Sequence, residues 1–389
     1  MYIALLGRQP ALGMAELEQL FGSASTRWFS DTSALIDSPS FDFDRLGGSQ
    51  KAGLVVAELR GDWQRVSKTI IDTYVRGWAG HEGKITLGIS AYGFSCGARD
   101  VQKTGIILKS SLKKQGVSLR LIPNTAPALT SATSHHNKLG LSRNHVELLI
   151  VRASNGNVIV AESIGAQNIT AFAARDQGRP KRDAYVGMLP PKLARMMVNM
   201  LGSSAHVPGS TVLDPFCGTG VLLQEAALLG FGVYGTDLSA KMVDYTQANL
   251  RWLTDKYHLA PSVRTTIGDA MDTSWQLPID AIATETYLGQ PFSAPPSAAK
   301  LTEVRGNCDH IISSFLRNLA PQLAVGTPLC VAVPAWRGAG DSFTHLPLID
   351  TLGTLGYRRV HLRHVRDSQL LYYREDQVVA RELLLLEKS

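Results

Sequence analysis

Three aspartates follow apolar segments of this chain at points where a parallel sheet would bring them to one edge. Asp214 lies in VLDPFCGTG, where a short apolar strand runs into a turn that contains Gly218 and Gly220. Asp237 and Asp269 end the segments GVYGTD and VRTTIGD. Carboxylates at strand ends accept hydrogen bonds from hydroxyl and amino groups, and open α/β sheets bind their ligands at these ends. We therefore expect a ligand cavity built from these three segments.

The two glycines of the first turn indicate what kind of ligand can approach. Glycine has no side chain, so the backbone can come close to a nucleoside, and a helix N-terminus follows directly. The spacing is not the dinucleotide fingerprint G-x-G-x-x-G, and the Lys-Ser/Thr of a phosphate-binding P-loop is missing. A tight turn without a ligand is the alternative for this segment taken alone.

The segment resembles motif I of S-adenosylmethionine-dependent methyltransferases, in the DPFCGTG form of enzymes that methylate amino nitrogens of nucleic-acid bases. This resemblance implies that the turn binds S-adenosylmethionine, with Asp237 on the ribose hydroxyls and Asp269 near the adenine amino group. The alternatives are a helix-capping role for Asp237 and a surface-loop position for Asp269. The residues predicted to bind the cofactor are Asp214, Pro215, Phe216, Cys217, Gly218, Thr219, Gly220, Asp237, Leu238, Asp269 and Ala270.

A fourth strand, DAIATETYLGQPF, lies where amino-methyltransferases carry Asp/Asn-Pro-Pro-Tyr/Phe. In those enzymes a side-chain oxygen and a main-chain carbonyl hold the target amine, and an aromatic ring stacks on the base. Here residues 284–289 read TETYLG, so both prolines are missing. The resemblance implies that the catalytic group consists of Glu285, Tyr287 and Thr284. Glu285 would accept a hydrogen bond from the amine, and Tyr287 would stack on the base. A structural acid at a strand end is the alternative for Glu285.

Alternating strands and helices must position these residues. The segment VLLQEAALLG has helical spacing and ends at Gly230, and Ser239 is predicted to cap the helix AKMVDYTQANLRWL. AAKLTEVRGNCDHIISSFLRNLAPQL and HLPLIDTLGTLG also read as helices, and PLCVAVPAW, YRRVHLRHV and VVARELLLLEK read as strands. The last two strands resemble a hairpin that inserts one antiparallel strand. The pattern predicts an α/β fold with a doubly wound sheet, as in Rossmann-like class I methyltransferases.

Composition limits the class of protein further. The chain has 389 residues, more than one usual domain, and no apolar run of membrane-spanning length. The start shows no signal-peptide pattern. The four cysteines, at positions 96, 217, 308 and 330, show no metal-ligand or disulfide spacing. These features predict a cytoplasmic protein with reduced thiols, no metal site and no membrane partner.

Basic charge is concentrated in the first half of the chain. Between Arg99 and Arg182 there are 13 Lys and Arg but 4 Asp and Glu. A docking surface for a polyanion and an ordinary solvated basic face both fit this distribution. The residues predicted to contact RNA are Lys109, Lys113, Lys114, His135, Asn137, Lys138, Arg143, Arg175, Arg179, Lys181 and Arg182. Nearby, Asn155-Gly156 predicts a β-hairpin.

Taken together, these segments resemble the THUMP-containing tRNA guanosine N2-methyltransferases of archaea and eukaryotes. The likeness includes LLGRQPALGMAELEQL at the start, residues of roughly 60 to 170, and LPPKLARMMVNM before motif I. It implies an N-terminal α+β region with a ferredoxin-like segment at residues 1–60 and a THUMP-like RNA-binding domain at 61–172. A linker at 173–187 and a methyltransferase domain at 188–389 would follow.

The predicted function is methyl transfer from S-adenosylmethionine to an exocyclic amine of RNA, with tRNA as the partner and guanine N2 as the target. Two alternatives remain open. One is an RNA-binding protein with a degenerate methyltransferase site, which the missing prolines suggest. The other is a methyltransferase that acts on ribosomal RNA or DNA. No protein partner is predicted.

Overall fold

The computed structural model describes residues 1–183, 189–292, 294–338, 340 and 342–389. Contacts within the chain divide it into two compact units. The first contains Met1–Pro10, Ala24–Asp44 and Ser49–Ala171; the second contains Ala11–Ser23, Arg45–Gly48 and Phe172–Ser389. The domain boundaries expected from the sequence stay a prediction.

The strands within the described residues follow one another along the chain in this order. They are β1 (Tyr2–Leu6), β2 (Thr26–Ser30), β3 (Ser33–Ile36), β4 (Ser49–Arg60), β5 (Lys84–Tyr92), β6 (Ser118–Leu121), β7 (His145–Arg152), β8 (Asn157–Ala166), β9 (Thr211–Asp214), β10 (Gly232–Asp237), β11 (Val263–Ile267), β12 (Ala281–Glu285), β13 (Pro328–Arg337), β14 (Phe343–Thr344), β15 (Tyr357–Arg359), β16 (Leu371–Tyr372) and β17 (Val379–Lys388).

The α-helices of the same residues connect these strands. They are α1 (Pro10–Phe21), α2 (Trp63–Gly77), α3 (Ala98–Lys114), α4 (Ser131–His136), α5 (Ile169–Gln177), α6 (Pro191–Asn199), α7 (Val221–Leu228), α8 (Ala240–Tyr257) and α9 (Ala298–Leu319). None of the helices in the described part of the chain combines the length and hydropathy needed to cross a bilayer.

The first unit contains an eight-stranded mixed sheet in the order β2-β3-β1-β4-β8-β7-β5-β6. β5 runs parallel to β6 and β7, whereas β7 and β8 form the antiparallel hairpin predicted at Asn155-Gly156. Gly156 has φ +85°, a conformation that glycine adopts without steric cost. Helices α2 and α3 bury Ile70 and Leu108 in one apolar cluster with Leu87 of β5.

The sheet of the second unit confirms the predicted Rossmann-like methyltransferase topology. Its main strands run in the order β11-β10-β9-β12-β13-β17-β15. The first five are mutually parallel, and β17 is antiparallel to both of its neighbours. The chain reverses its direction of strand addition between β9 and β12, and open α/β sheets bind ligands at such a switch point.

The core of this unit forms between the sheet and α9. Cys308, Ile312 and Phe315 of α9 are fully buried and belong to one cluster with Leu213 of β9 and Ile282 of β12. Because side chains alternate along a strand, the neighbouring residues of β9 and β12 face the other side of the sheet. Packing against α9 thus fixes the strands at whose ends the catalytic and cofactor-binding candidates lie.

A buried carboxylate of α1 connects short N-terminal segments within the second unit. The carboxylate of Glu16 accepts hydrogen bonds from the backbone N–H groups of Gly47 (2.7 Å) and Gly48 (2.8 Å) and from Nδ2 of Asn199 (2.7 Å). Burial raises the pKa of Glu16, and these hydrogen bonds oppose that shift. This connection explains why residues 11–23, expected in an N-terminal segment, group with the second unit.

Two predicted elements differ from the structure. The segment HLPLIDTLGTLG forms a 3₁₀ helix at Pro347–Leu355 rather than an α-helix. Only Tyr357–Arg359 of the expected strand YRRVHLRHV is a strand. The remainder leaves the sheet because the backbone N–H groups of Arg363 and His364 donate to the carboxylate of Glu18 instead of to a strand partner.

Candidate functional site

A cavity of about 600 Å³ lies at the carboxyl ends of the central strands of the second unit. Its volume is in the range of small-molecule and cofactor sites. Twelve of the residues predicted to bind cofactor or to take part in catalysis line it: Asp214, Pro215, Phe216, Cys217, Gly218, Thr219, Asp237, Leu238, Asp269, Ala270, Glu285 and Tyr287. The tertiary structure therefore brings together segments that lie far apart in the chain.

The glycine-rich turn after β9 has the backbone geometry that its sequence predicts. Gly218 has φ +52° and Gly220 has φ +79°, both in the left-handed region. A Cβ on Gly220 would lie 2.9 Å from Oγ1 of Thr246, which donates to the carbonyl of Gly218 (2.9 Å). Gly220 is the N-cap of α7 and does not line the cavity, so it shapes the turn instead.

Asp237 joins the turn to the end of β10. Its Oδ2 accepts from the N–H of Gly218 (2.9 Å), and its Oδ1 accepts from the N–H of Ser239 (2.9 Å). Ser239 occupies the N-cap of α8 as predicted, but its hydroxyl makes no capping hydrogen bond. Each carboxylate oxygen has a second lone pair, so Asp237 retains capacity to accept from a pair of ligand hydroxyls.

Asp269 is held by a tight turn after β11. Its Oδ1 accepts from the N–H of Met271 (2.9 Å), and its carbonyl accepts from both the N–H (2.8 Å) and the hydroxyl (2.6 Å) of Thr273. The residue is partly exposed at the cavity. This arrangement fixes an acceptor at the third strand end, where an amino group could donate to it.

Asp214 is buried beneath the turn. Its Oδ1 accepts from the hydroxyl of Thr284 (2.7 Å) and from the N–H of Phe216 (3.2 Å). Burial raises the pKa of Asp214 to about 7; these two hydrogen bonds oppose the shift, and the nearby carboxylates add to it. Thr284 is fully buried and does not line the cavity. The structure therefore corrects the prediction that Thr284 belongs to the catalytic group, and its hydroxyl positions Asp214 instead.

Glu285 ends β12 and forms an ion pair with Arg381 of β17. Burial raises the pKa of Glu285, and the guanidinium of Arg381 opposes that shift. Arg381 is 7% exposed and was missed by the sequence analysis, although a lone arginine within the apolar segment VVARELLLLEK was a usable signal. The pair places a partly neutralised carboxylate at the cavity wall.

Tyr287 is the aromatic residue of this region and is 42% exposed at the cavity. Gly289 follows it with φ +79° and packs closely on Val304 of α9. Asn307 and Ile311, one helical turn apart on α9, also line the cavity and were not predicted. The fixed turn leaves the ring of Tyr287 accessible to a planar ligand.

These groups fit S-adenosylmethionine. The turn presents glycine backbone without side chains at the point of closest approach, and carboxylates stand at three successive strand ends. Hydroxyl and amino groups of a nucleoside need such acceptors. The assignment of individual residues to parts of the cofactor stays a prediction.

Two of the basic residues predicted to contact RNA are buried. Arg175 is 4% exposed and pairs with Glu225 (2.5 Å), which also pairs with Arg195 (2.7 Å). Arg179 is 3% exposed. The prediction of RNA contact is wrong for these two arginines, because both side chains are packed inside the second unit rather than directed toward solvent.

The other RNA-contact candidates are accessible to different degrees. The backbone of Lys181, in the second unit, is tied to the side chain of Asn249 (2.9 Å). Among the remaining candidates, His135 and Asn137 are partly exposed. The exposed ones are Lys109, Lys113, Lys114, Lys138 and Arg143 in the first unit and Lys181 and Arg182 in the second. The described residues contain no group of three or more His, Cys, Asp or Glu arranged to hold a metal ion.

Comparison with known families and sequences points to one class of protein. A family model described as UPF0020, RMKL-like, methyltransferase domain, matches residues 179–314. The tRNA (guanine(10)-N2)-dimethyltransferase of Methanothermobacter thermautotrophicus is 34% identical over 161 residues, which cover 41% of this chain and 43% of that protein. The enzyme of the same name from Pyrococcus abyssi is 30% identical, over 44% of this chain and 46% of that protein. The matches thus span less than half of these two relatives.

A shorter relative is covered more fully. A probable tRNA (guanine(10)-N2)-dimethyltransferase of Methanothermococcus thermolithotrophicus is 31% identical over 32% of this chain and 70% of that protein. Among solved structures, TrmN from Thermus thermophilus is similar in fold, with a TM-score of 0.53 and 18% identity over 100% of this chain and 99% of that chain. A possible methylase from Clostridium difficile has a TM-score of 0.51 and 13% identity, over 98% and 97% of the two chains.

Proposed function

Because the chain belongs to the family of tRNA guanine-N2 methyltransferases, we propose that it transfers a methyl group from S-adenosylmethionine to the N2 amine of a guanine in tRNA. The observation that carries this proposal is the joint position of two groups on one cavity. Asp237 and Asp269 line it at the ends of β10 and β11, where the cofactor is proposed to bind, and Glu285 and Tyr287 line it at and just after the end of β12.

The chemistry of the target explains why these residue types suffice. The lone pair of the guanine N2 amine is delocalised into the ring, so the amine needs hydrogen-bond acceptors that hold it in line with the methyl donor. S-adenosylmethionine supplies an electrophilic methyl group. As the N2–carbon bond forms and the sulfur–carbon bond breaks, the amine must also lose a proton.

Glu285 is the residue proposed to perform this task. Its carboxylate accepts a hydrogen bond from the amine and takes the proton that the amine releases. Its raised pKa, caused by burial, makes it a better proton acceptor than an ordinary glutamate. Arg381 is proposed to hold the carboxylate in place and to keep it ionised, without itself reaching the cavity.

Tyr287 is proposed to stack on the target base. A base inside a folded tRNA must leave its stack to reach a buried methyl donor, and an aromatic face compensates part of that cost. The exposed fraction of Tyr287 and its position on the cavity wall support this role.

The direct test is to incubate the protein with bulk tRNA and labelled S-adenosylmethionine, followed by mass analysis of the nucleosides. We expect N2-methylguanosine or N2,N2-dimethylguanosine. The relatives are named for position 10 of tRNA, so this position is proposed as the target and can be mapped on the labelled tRNA. Cofactor binding without any methylation of tRNA would contradict the proposal.

Replacement of Glu285 tests the proposed chemistry. Glu285→Gln keeps the size of the side chain but removes the proton acceptor, so we expect the methyl-transfer rate to fall about 100-fold or more, with S-adenosylmethionine affinity preserved. Single-turnover rates and calorimetric cofactor binding measure the two effects. Glu303→Gln is the matched control, because Glu303 is an exposed residue of α9 paired with Lys300, and it should leave both quantities unchanged.

A protein that binds RNA without turnover is the second candidate. The observation that favours it is the ion pair of Glu285 with Arg381, which engages the only acid of the TETYLG segment. This candidate predicts salt-dependent tRNA binding and no difference between the unaltered protein and Glu285→Gln.

A further inference from the structure

Residues 360–369, here called the basic loop, connect β15 to β16 in the second unit. The sequence pattern predicts a strand as far as residue 365, but the structure has a segment without strand that ends in a short 3₁₀ helix at Asp367–Gln369, and its residues line an open depression. The loop carries two arginines and two histidines against a single aspartate. Its chemistry plays no part in the cavity described above.

The backbone of the basic loop is fixed by α1. Oε1 of Glu18 accepts from the N–H of Arg363 (2.6 Å), and Oε2 accepts from the N–H of His364 (3.0 Å). Nε2 of His364 lies 2.9 Å from the carbonyl of Ser23, and Glu18 is 7% exposed. Val365 is buried as well, at 4% exposure. The loop is therefore clamped rather than merely solvated.

The cationic side chains in and beside the loop fall into two groups. Arg359 and His361 both contact the carboxylate of Asp367, at 3.2 Å and 2.9 Å, and Arg359 also lies 3.8 Å from the carboxylate of Glu382. Arg363 and Arg366 are exposed, and within the described residues they form no ion pair. Two guanidinium groups thus project from a rigid backbone with their charge unneutralised.

The basic loop reaches the level of the cavity along the sheet. Leu383 of β17 donates its N–H to the carbonyl of Leu370, the residue directly after the loop (2.8 Å). Leu383 lies opposite Ala332 of β13, and Ala332 lies opposite Glu285 of β12. With a strand spacing of about 4.8 Å, Leu370 at the end of the loop lies three strand spacings, or about 14 Å, from Glu285 across the sheet.

We propose that the basic loop binds the sugar-phosphate backbone of the RNA that delivers the target base, with Arg363 and Arg366 as the phosphate contacts. This inference rests on the proposed function, since it assumes that RNA reaches the cavity. Guanidinium groups bind phosphate through paired hydrogen bonds, and a clamped backbone lowers the ordering cost of binding. The contacts are independent of base identity, so they position the RNA without specifying its sequence.

The test compares tRNA affinity of the unaltered protein, Arg363→Ala/Arg366→Ala and Arg251→Ala over a series of salt concentrations. Arg251 is an exposed arginine of α8, which packs on β10 and β11 at the far end of the sheet. Each lost phosphate contact lowers the slope of log affinity against log salt by about 0.7 to 0.9. For the double variant we expect the slope of log affinity against log salt to decrease by about 1.5 and the affinity to fall about fivefold to tenfold. Arg251→Ala should change neither quantity.

Glu18→Ala separates the clamped loop from a general effect of charge. This variant removes a negative charge, so attraction between net charges alone would strengthen tRNA binding. The proposed role of the loop predicts weaker binding instead, because Arg363 and His364 lose the acceptor that orders their backbone. Cofactor binding, measured on the same sample, shows that the variant is folded.

The outcomes distinguish this inference from the proposed function. Unchanged affinity and salt slope in the double arginine variant, with methylation of tRNA by the unaltered protein intact, would overturn the loop surface and leave the proposed function standing. Stronger tRNA binding by folded Glu18→Ala would also overturn it. Absence of methylation with the expected changes in affinity would count against the proposed function while supporting the RNA-binding surface.

Discussion

Two carboxyl groups at the ends of neighbouring strands have different environments. Within the described residues, Asp214 accepts from two neutral donors, Thr284 and a backbone N–H, and burial raises its pKa to about 7. Glu285 has the guanidinium of Arg381 as its partner. Because a nearby cation favours the charged form of an acid, Glu285 is the better candidate for a carboxylate that acts near neutral pH.

Arg381→Met tests whether this arginine acts through the charge of Glu285. Removal of the cation leaves burial unopposed, so the pKa of Glu285 rises further, and the carboxylate is lost at a higher pH. We expect the acid limb of kcat/KM for tRNA methylation to move to higher pH, with part of the rate recovered in alkaline buffer. The pH profile of the purified variant measures this shift.

Arg358→Met is the matched control for that experiment. Arg358 lies on β15, is exposed and pairs with Glu387, so its replacement should leave the acid limb in place. Arg381→Lys keeps a positive charge, and it should restore the acid limb toward that of the unaltered protein. A rate for Arg381→Met that falls equally at every pH would mean that Arg381 only orients the site.

Among the elements, the turn between β9 and α7 has the strictest geometric requirements. Gly220→Ala adds a Cβ 2.9 Å from Oγ1 of Thr246 and forces φ +79° on a residue with a side chain. The left-handed conformation costs about 1–2 kcal/mol, and the overpacking costs about 1–3 kcal/mol more. We expect both a lower free energy of unfolding and weaker S-adenosylmethionine binding, measured by denaturant titration and calorimetry.

Gly230→Ala isolates the backbone part of that effect. Gly230 follows α7 with φ +91°, as its sequence predicts, but a Cβ there meets nothing within 4 Å. The free energy of unfolding of Gly230→Ala should fall only by the cost of the left-handed conformation, about 1–2 kcal/mol. The variant should keep its affinity for the cofactor. Equal losses in the two variants would show that contact with Thr246 is unimportant for the turn.

Helices α5, α6 and α7 are joined by a buried charge cluster that replaces a predicted RNA contact. Glu225 is fully buried and accepts from Arg175 and Arg195, and the guanidinium of Arg175 also lies over the ring of Phe172 (4.5 Å). Two cations around one carboxylate compensate its desolvation, whereas loss of Glu225 would leave two buried guanidinium groups without this carboxylate. The arginine-rich stretch before motif I is thus partly structural.

For the molecule as a whole, the buried carboxyl of Asp214 makes stability depend on pH. Its pKa is raised from 3.8 to about 7 in the folded protein, so the folded state binds a proton more tightly than the unfolded chain. This contribution to stability is fully present below about pH 4 and is lost as the pH rises toward about 7. Its full size is at most about 4 kcal/mol.

Asp214→Asn removes this titration and keeps an oxygen that accepts from Thr284 and Phe216. We expect the free energy of unfolding of the variant to exceed that of the unaltered protein increasingly between about pH 4 and about pH 7. Chemical unfolding of the two proteins at about pH 4.5 and about pH 7.5 measures the difference. Asp272→Asn, at an exposed position of the same unit, serves as the control. An offset that is independent of pH would contradict the expectation.

The sequence by itself determined the fold class and the cofactor turn, because both depend on local patterns. Strands that alternate with helices specify a doubly wound sheet, and the glycines of DPFCGTG allow the left-handed backbone that the turn adopts. The predicted acids Asp237 and Asp269 line one cavity for a related reason: each follows a parallel strand, and parallel strands end at one edge.

Only the tertiary structure decided which charges are paired and which segments leave the sheet. Arg381 meets Glu285 from ninety-six residues away, and Arg175 is withdrawn from solvent by Glu225. Glu18 accepts from two backbone N–H groups of the basic loop and so ends a strand that its alternating sequence predicts. Such partners lie far apart in the chain, and periodicity reports only on neighbours a few residues away. Burial and ion pairing, which set the charge and the accessibility of each group, are properties of the packed chain.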